Sequence, residues 1–353
     1  MSADDPVEDV SRQRKPARKF PWTWTRFTAL IAVVVLAIAV IFISLWWQQK
    51  PSVDDLMEQA HLKGKSELVI GVMDDVPGAA VRDPTDRYVG FEIEIGYLVA
   101  ADLGFRPHET RFLTVENEDR NRMQARDGDR HTIVDLVIAV YSITEERERD
   151  DRVSFSASYL DTEQSVLTLR EHPPVQDLTE LRDKPVCTLN TSTSKNPLQE
   201  ARAEVINKSK ISDCLPGLHS GEYEAVSTDA AILAGFVAKE PDRLRLHDIG
   251  LSAVESYGIN TGGNEPLLQL VNHSLYGSRN DPEDKRWEDA YDKHLRPLEA
   301  AGLPQPVAID RQPDVDEVEV RQWPWERLPG MILMLAAMDG RCRVRRRVVS
   351  NGP

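Results

Sequence analysis

Short apolar runs alternate with stretches of helical spacing through most of this chain. The first set predicts strand 68–73, helix 92–103, strand 110–114, a helix over about 117–127 and strand 133–140. A second set predicts strand 185–189, helix 196–206, strand 210–214, helix 217–222, strand 224–227 and helix 229–238. Strands that alternate with helices imply mostly parallel sheets with helices on both faces. Two such sets in series predict two lobes, with a ligand cleft where the carboxyl ends of their strands meet. The charged run Asp127 to His131 interrupts the first set and reads as a surface loop.

Before these sets lies a different pattern. Phe27 to Trp47 contains twenty-one residues without a charge, enough at 1.5 Å per residue to cross a hydrocarbon core of ~30 Å. It is read as a single transmembrane helix and not as a signal peptide, because the run is long and ends in Trp46, Trp47, Gln48, Gln49 and Lys50 without a small-residue cleavage site. Trp22, Trp24, Trp46 and Trp47 stand where interfacial aromatic belts form. Arg12, Arg14, Lys15, Arg18, Lys19 and Arg26 precede the run, so residues 1–26 are expected in the cytoplasm and all that follows Lys50 outside the cell membrane. Residues 48–65 then read as a short stalk or lead-in helix.

The chain has 353 residues and a formal net charge of -15, while both of its ends are basic. An acidic middle argues against nucleic acid as a partner. The expected contact with the bilayer is through residues 27–47. From 301 to 353 the chain is rich in proline and acid, then apolar, then basic. This reads as a poorly ordered tail, with a segment folded back on the membrane as the alternative.

Candidate chemistry concentrates in VIAVYSITEER, Val137 to Arg147. A buried strand would deliver Ser142, Thr144 and Arg147 to its own carboxyl end, where a planar guanidinium grips a carboxylate bidentately. Five further stretches stand in a particular order around it: ELVIGVMDD from Glu67, RYVGFEIEIGYLVAADLGF from Arg87, VCTLNTSTS from Val186, YEAVSTD from Tyr223 and YGIN from Tyr257. Together these resemble the extracellular solute-binding proteins of family 3, the polar amino-acid receptors of ABC importers, and within them the glutamate- and glutamine-binding branch. The resemblance covers about Ser66 to Arg296.

The resemblance implies a two-lobed α/β fold of the type II periplasmic-binding-protein class, its lobes joined by two crossovers. Lobe 1 would comprise 66–158 and 257–300, and lobe 2 would comprise 159–256. It further implies that Arg147 and the Ser142 hydroxyl hold an α-carboxylate, with Thr144 in the same turn and the Val140 backbone beside it. Arg149 is the less suited substitute for Arg147. From the second lobe, Ser192 and Thr193 fall on the family's carboxylate-binding turn, although Asn190 to Thr193 lacks its glycine. Asp229, preceded by Thr228, matches the aspartate that takes the α-ammonium, and by itself reads as a helix N-cap. Leu189 and Met73 replace a lysine and an aspartate of the glutamine-binding branch, so strict glutamine selectivity is not expected. Arg120 reads as an exposed helix arginine, with a contact to a side-chain carboxylate as its other reading.

Of three cysteines, Cys187 and Cys214 fall where the glutamate-receptor branch carries a pair, which implies a disulfide outside the cytoplasm. Cys342 has no assigned role. Scattered histidines and the absence of HExxH, GxSxG and Walker patterns argue against an enzyme and against a metal or other cofactor. The expected function is therefore an anchored receptor for a polar L-amino acid, glutamate or similar, that serves an ABC permease and its ATPase. A sensor for a membrane signalling partner is the alternative, followed by a dehydratase-like enzyme on the same fold.

Overall fold

The computed structural model describes residues 22–47, 50–250, 254–299 and 303–321. It divides into two units, residues 1–50 and 51–353. In the first, helix α1 runs Trp22–Trp47, and the side chains of residues 26–41 are exposed. Among the described residues no helix is long and apolar enough to cross a membrane. The side chains of 27–47 are described only as far as residue 41, so the expected span extends beyond them.

The second unit holds α2 (Val53–Gln59), β1 (Leu68–Val72), β2 (Asp75–Val76), β3 (Ala80–Arg82), β4 (Tyr88–Val89), α3 (Phe91–Asp102) and β5 (Thr110–Thr114). It continues with β6 (Gln124–Asp127), β7 (Arg130–Ile133), β8 (Leu136–Val137), α4 (Glu145–Glu148) and β9 (Phe155–Leu169). Next come β10 (Pro185–Leu189), α5 (Lys195–Glu200), β11 (Glu204–Lys208), α6 (Leu215–Ser220), β12 (Ala225–Asp229), α7 (Ala230–Lys239) and β13 (Leu244–His247). The last elements are β14 (Val254–Asn260), α8 (Glu265–Asn280), α9 (Arg286–His294) and α10 (Arg296–Glu299).

β1 lies parallel between β5 and β8, and β10 lies parallel between β11 and β12. Long strand β9 joins the two groups. Its residues Phe155 to Glu163 pair antiparallel with β14, and Gln164 to Leu169 pair with β12 and β13. Both predicted crossovers are therefore one antiparallel pair, β9 with β14. The sheets are mixed because β9 pairs antiparallel with β12 and β13, β14 pairs antiparallel with β8 and β9, and β6 pairs antiparallel with β5 and β7.

This connection places every parallel strand with its carboxyl end toward one cleft. Asp74 follows β1, Asn117 and Glu118 follow β5, Val140 to Arg147 follow β8, Asn190 to Thr193 follow β10 and Asp229 ends β12. Both sides of the cleft are apolar at their base. Leu68, Ile70, Val72 and Leu136 are fully buried, with α3 packed on β1, and Val186, Ala225 and Val226 are fully buried in the second group. Helix α7 approaches the β2–β3 hairpin so closely that a Cβ on Gly235 would stand 1.9 Å from the Pro77 carbonyl oxygen. Any side chain there would force the backbones apart.

Several expected elements differ. The predicted helix 117–127 is a 3-10 turn, Asn117–Arg122, followed by β6. Tertiary packing overrides its helical spacing, because Asn117 and Arg120 turn inward to polar partners. The predicted strand 133–140 is split between Ile133, which ends β7, and the short β8, and its end leaves the extended conformation at Val140, with φ 41. Helix α5 stops at Glu200, β11 covers 204–208 and a 3-10 turn covers Ile211–Cys214, where a strand was expected. The expected stalk is a docked helix: the Ser52 side chain and the Asp55 carboxylate form a capping box, and Leu56, Ala60 and Leu62 are buried. The expected loose tail is packed over 303–321, where Val307, Ala308 and Gln312 are buried and the Thr162 hydroxyl donates to the Val307 carbonyl at 2.8 Å. Residues 322–353, with Cys342, and residues 1–21 lie outside the described residues. Cys187 and Cys214 form a disulfide with Cα atoms 5.8 Å apart, tying β10 to the 3-10 turn that precedes α6.

Candidate functional site

Strand β8 ends in a buried turn, and Thr144 caps the single turn of α4 by accepting from the Arg147 N–H at 3.2 Å. That cap sets the start of α4 and points the Arg147 guanidinium back across the cleft. Its Nη1 donates to the Ser142 carbonyl at 2.6 Å and its Nη2 to the Thr191 carbonyl at 2.7 Å. Arg149, two residues on, is exposed and paired with Glu145, and it does not line the cleft cavity.

Arg120 is not the exposed helix residue expected. It is 3% exposed, its Nε donates to the Asn117 carbonyl, its Nη1 to the Ala139 and Val140 carbonyls and its Nη2 to the Thr191 hydroxyl, each at 3.1 Å. The Asn260 side chain donates to the Arg120 carbonyl and so holds the turn from behind. The Tyr141 ring lies 4.4 Å from the Arg120 guanidinium and 4.7 Å from that of Arg147, which gives both cations an aromatic face. Burial, reinforced by the charge of Arg147, lowers the Arg120 pKa to about 9. Burial likewise lowers that of Arg147.

Asp229 occupies the N-cap position of α7, but its side chain makes no cap hydrogen bond. The N-cap role read from the sequence is thereby corrected. It is 3% exposed, one of its oxygens accepts from the Tyr257 hydroxyl at 2.5 Å, and the other is buried without a hydrogen-bond partner among the described residues. Burial raises its pKa to about 7, with Glu255 adding repulsion and Tyr257, Arg147 and Arg120 opposing. Glu92 forms a second buried acid. It accepts from the Val140 N–H at 2.6 Å and from the Tyr159 hydroxyl at 2.5 Å, its other oxygen has no hydrogen-bond partner among the described residues, and burial raises its pKa to about 7.

A cavity of about 560 Å³ opens on these groups, and Thr144, Arg147, Ser192 and Thr193 line it together with Asn117, Glu118, Tyr141 and Thr191. Ser142, Val140, Arg120, Thr228 and Asp229 are buried and do not line it. Both backbone groups of Val140 are engaged, its N–H by Glu92 and its carbonyl by Arg120. Ser192 directs its hydroxyl to the Ser194 N–H at 3.2 Å. The first-lobe and second-lobe calls thus converge on one cleft, although only part of them faces its cavity.

Glu92, Asn117, Glu118, Thr191 and Tyr257 were not singled out from the sequence. Glu92 and Glu118 stood only inside the predicted helices 92–103 and 117–127, and Tyr257 only inside the YGIN stretch. Glu118 bridges the cleft, its Oε1 accepting from the Asn190 side chain and from the Ser209 hydroxyl at 2.8 Å. Nearby, Lys210 pairs with Asp74 at 2.5 Å, and the Ser212 N–H and hydroxyl both donate to Asp75 at 3.1 Å.

Comparison with known proteins agrees with this architecture. Residues 68–297 match the bacterial extracellular solute-binding proteins, family 3. The chain is 28% identical over 273 residues to the ABC transporter glutamine-binding protein GlnH of Bacillus subtilis, covering 76% of this chain and 94% of that one. It is 26% identical over 185 residues to the glutamate-binding protein GluB of Corynebacterium efficiens, covering 51% of this chain and 61% of that one. An ancestral arginine-binding protein bound to glutamine has the same fold with a TM-score of 0.57 at 26% identity, covering 65% of this chain and 98% of that chain. A solute receptor for L-cysteine from Neisseria gonorrhoeae shares the fold with a TM-score of 0.61 at 24% identity, covering 71% of this chain and 98% of that one. With its two-lobed type II architecture and a match over residues 68–297, this chain belongs to the bacterial extracellular solute-binding proteins, family 3.

Proposed function

We propose that this protein is an extracytoplasmic receptor that closes on a polar L-amino acid and delivers it to an ABC permease and its ATPase, held at the cell membrane by residues 27–47. The observation that carries the reading is the placement of opposite charges on two sides of one cleft. Arg147 lines the cavity from the turn after β8, and Asp229 lies buried at the end of β12 with one oxygen lacking a hydrogen-bond partner among the described residues. A zwitterion that leaves water must have both charges answered, since a buried unpaired ion costs several kcal/mol. In this reading Arg147, with the Ser142, Thr144, Ser192 and Thr193 turns around it, holds the α-carboxylate, and Asp229 holds the α-ammonium. Thr228 and Val140 position those groups from behind.

Its relatives are binding proteins for glutamine, glutamate and arginine, which supports a receptor over a catalyst. Calorimetric titration of the purified chain with the common L-amino acids tests the reading. Micromolar or tighter binding of a polar amino acid is expected. Absence of binding to every amino acid in the panel would refute it. Sensing for a signalling partner is the second reading. Amino-acid uptake by cells that lack the gene separates the two, because a sensor is not needed for transport itself.

A further inference from the structure

Helix α7 is capped by a residue far from it in sequence. The first N–H groups of a helix find no carbonyl partner within it, and the side chain just before the helix ordinarily accepts from one of them. Asp229 holds that position in α7 and makes no such bond. The Ala231 N–H donates instead to the Thr162 hydroxyl of β9 at 3.2 Å. Thr162, Asp229 and Ala231 are each at most 3% exposed, so the donor needs a protein partner and Thr162 supplies it.

The Thr162 hydroxyl is itself oriented. It has one proton to give, and that proton goes to the Val307 carbonyl at 2.8 Å, which leaves a lone pair for Ala231. Val307 belongs to the segment 303–321, and neighbouring bonds fix that segment in place. The Ile309 N–H donates to the Asp161 carbonyl at 2.8 Å, the Tyr291 hydroxyl to the Ala308 carbonyl at 3.0 Å and the Gln312 amide to the Leu275 carbonyl at 3.1 Å. Residues 303–321 thus form a strap that crosses β9 at the residue capping α7.

Resting on the receptor reading above, we infer that Thr162 is a positioning residue: held by this strap, its hydroxyl caps α7 in place of Asp229 and so leaves the Asp229 carboxylate to Tyr257 and an incoming ammonium. One Asp229 oxygen accepts from Tyr257, and the other has no hydrogen-bond partner among the described residues. Were Asp229 to cap its own helix, that second oxygen would be engaged by a charge-assisted bond to the Ala231 N–H. An ammonium would then have to compete with the helix for it. Thr162 removes the competition although it does not line the cleft cavity.

The test uses the full-length chain in detergent as parent, Thr162→Val, Thr162→Ser and Asp229→Ala. Calorimetry with the common L-amino acids identifies the one the parent binds tightest, and its Kd is then measured for the two Thr162 variants. Thermal melts of the ligand-free proteins verify the fold, and hydrogen exchange reads the protection of the Ala231 amide. Thr162→Val keeps the shape but removes the acceptor, so Asp229 turns to the Ala231 N–H and affinity should fall about tenfold or more. Thr162→Ser restores the hydroxyl and should bind within about threefold of the parent. In Asp229→Ala the Ala231 amide should stay as protected as in the parent, because its acceptor is still present. A folded Thr162→Val that binds like the parent, with only its melting temperature lowered, would reduce Thr162 to a structural role and overturn the inference. Thr162→Ser as weak as Thr162→Val would overturn it too. So would loss of Ala231 protection in Asp229→Ala, a measurement that holds even if Thr162→Val does not fold. Failure of the parent to bind any amino acid would instead remove the receptor reading, and the inference with it.

Discussion

Arg147 donates to the Thr191 carbonyl at 2.7 Å and so joins the turn after β8 to the loop after β10. The Thr191 hydroxyl meanwhile accepts from Arg120 and from the Asn117 side chain. One threonine of the loop after β10 thus meets the buried guanidinium of Arg120 and the half-buried one of Arg147. Together with Glu118 to Asn190 and Asp74 to Lys210, this forms a polar seam across the cleft. Groups that hydrogen bond across a seam also report its opening.

Removal of either charge assigned to the ligand's α-groups should weaken binding strongly and unequally with stability. Arg147→Ala and Asp229→Ala are each expected to lose ~2–5 kcal/mol of binding free energy, roughly thirty- to several-thousand-fold in Kd. Exposed Arg149→Ala is the control and should stay within about twofold. Calorimetry with the parent's own ligand measures all three. Loss of affinity in the control alone would move the clamp to Arg149.

Asp229 gives binding a pH dependence of known sign. With its pKa raised to about 7, it holds a proton below that pH, and an ammonium needs the ionised form. Affinity should therefore rise as pH increases through 7 and fall by up to ~tenfold per pH unit below it. Asp229→Asn should bind weakly at every pH and lose this slope. Titrations at pH 6, 7 and 8 decide the matter, and a flat profile in the parent would contradict the assignment.

The same group affects the stability of the ligand-free protein. A carboxyl whose folded pKa is raised contributes stability below its unfolded value of 3.8, and that contribution is lost as pH rises through about 7. His247, lowered to about 4 by burial, acts with the opposite sign in this window. The readout is therefore the difference between parent and Asp229→Asn. The variant should gain in melting temperature relative to the parent between pH 5 and pH 8.

The disulfide between Cys187 and Cys214 closes a separation of 27 residues. In the chain-entropy model, its loss should cost about 3–4 kcal/mol, less any compensation in the folded state. Chemical denaturation of the parent and of the Cys187→Ser, Cys214→Ser double variant measures it. Both sulfurs are fully buried, so reduction should need partial unfolding and proceed slowly under native conditions. Rapid reduction there would show the second lobe to open locally far more easily than its packing implies.

Attachment to the membrane is tested by protease added to intact spheroplasts. The mass after Lys50 should be digested while a fragment of the first fifty residues remains with the membrane. Release of the intact binding domain into the medium would mean that residues 27–47 are removed in the cell.

Local sequence patterning was enough for the βα alternation, because period-2 and period-3.6 apolar spacings follow from the geometry of a strand and a helix alone. Strand β10 and helices α3 and α7 lie almost where those spacings put them. Arg147 was legible for a similar reason: an apolar strand that ends in hydroxyls and an arginine presents them at its carboxyl end by chain geometry. The roles of Arg120, Glu92 and Glu118 were not legible. A charged residue in a polar stretch looks solvent-exposed until the partners that satisfy it are known, and those partners lie distant in sequence: Ala139 and Thr191 for Arg120, Val140 and Tyr159 for Glu92, Asn190 and Ser209 for Glu118. The tail illustrates the same limit, since residues 303–321 have loop composition yet pack on β9 through Val307 and Ile309. Burial of a polar group is a property of the whole fold, because only the assembled sheets bring the compensating donors and acceptors within reach.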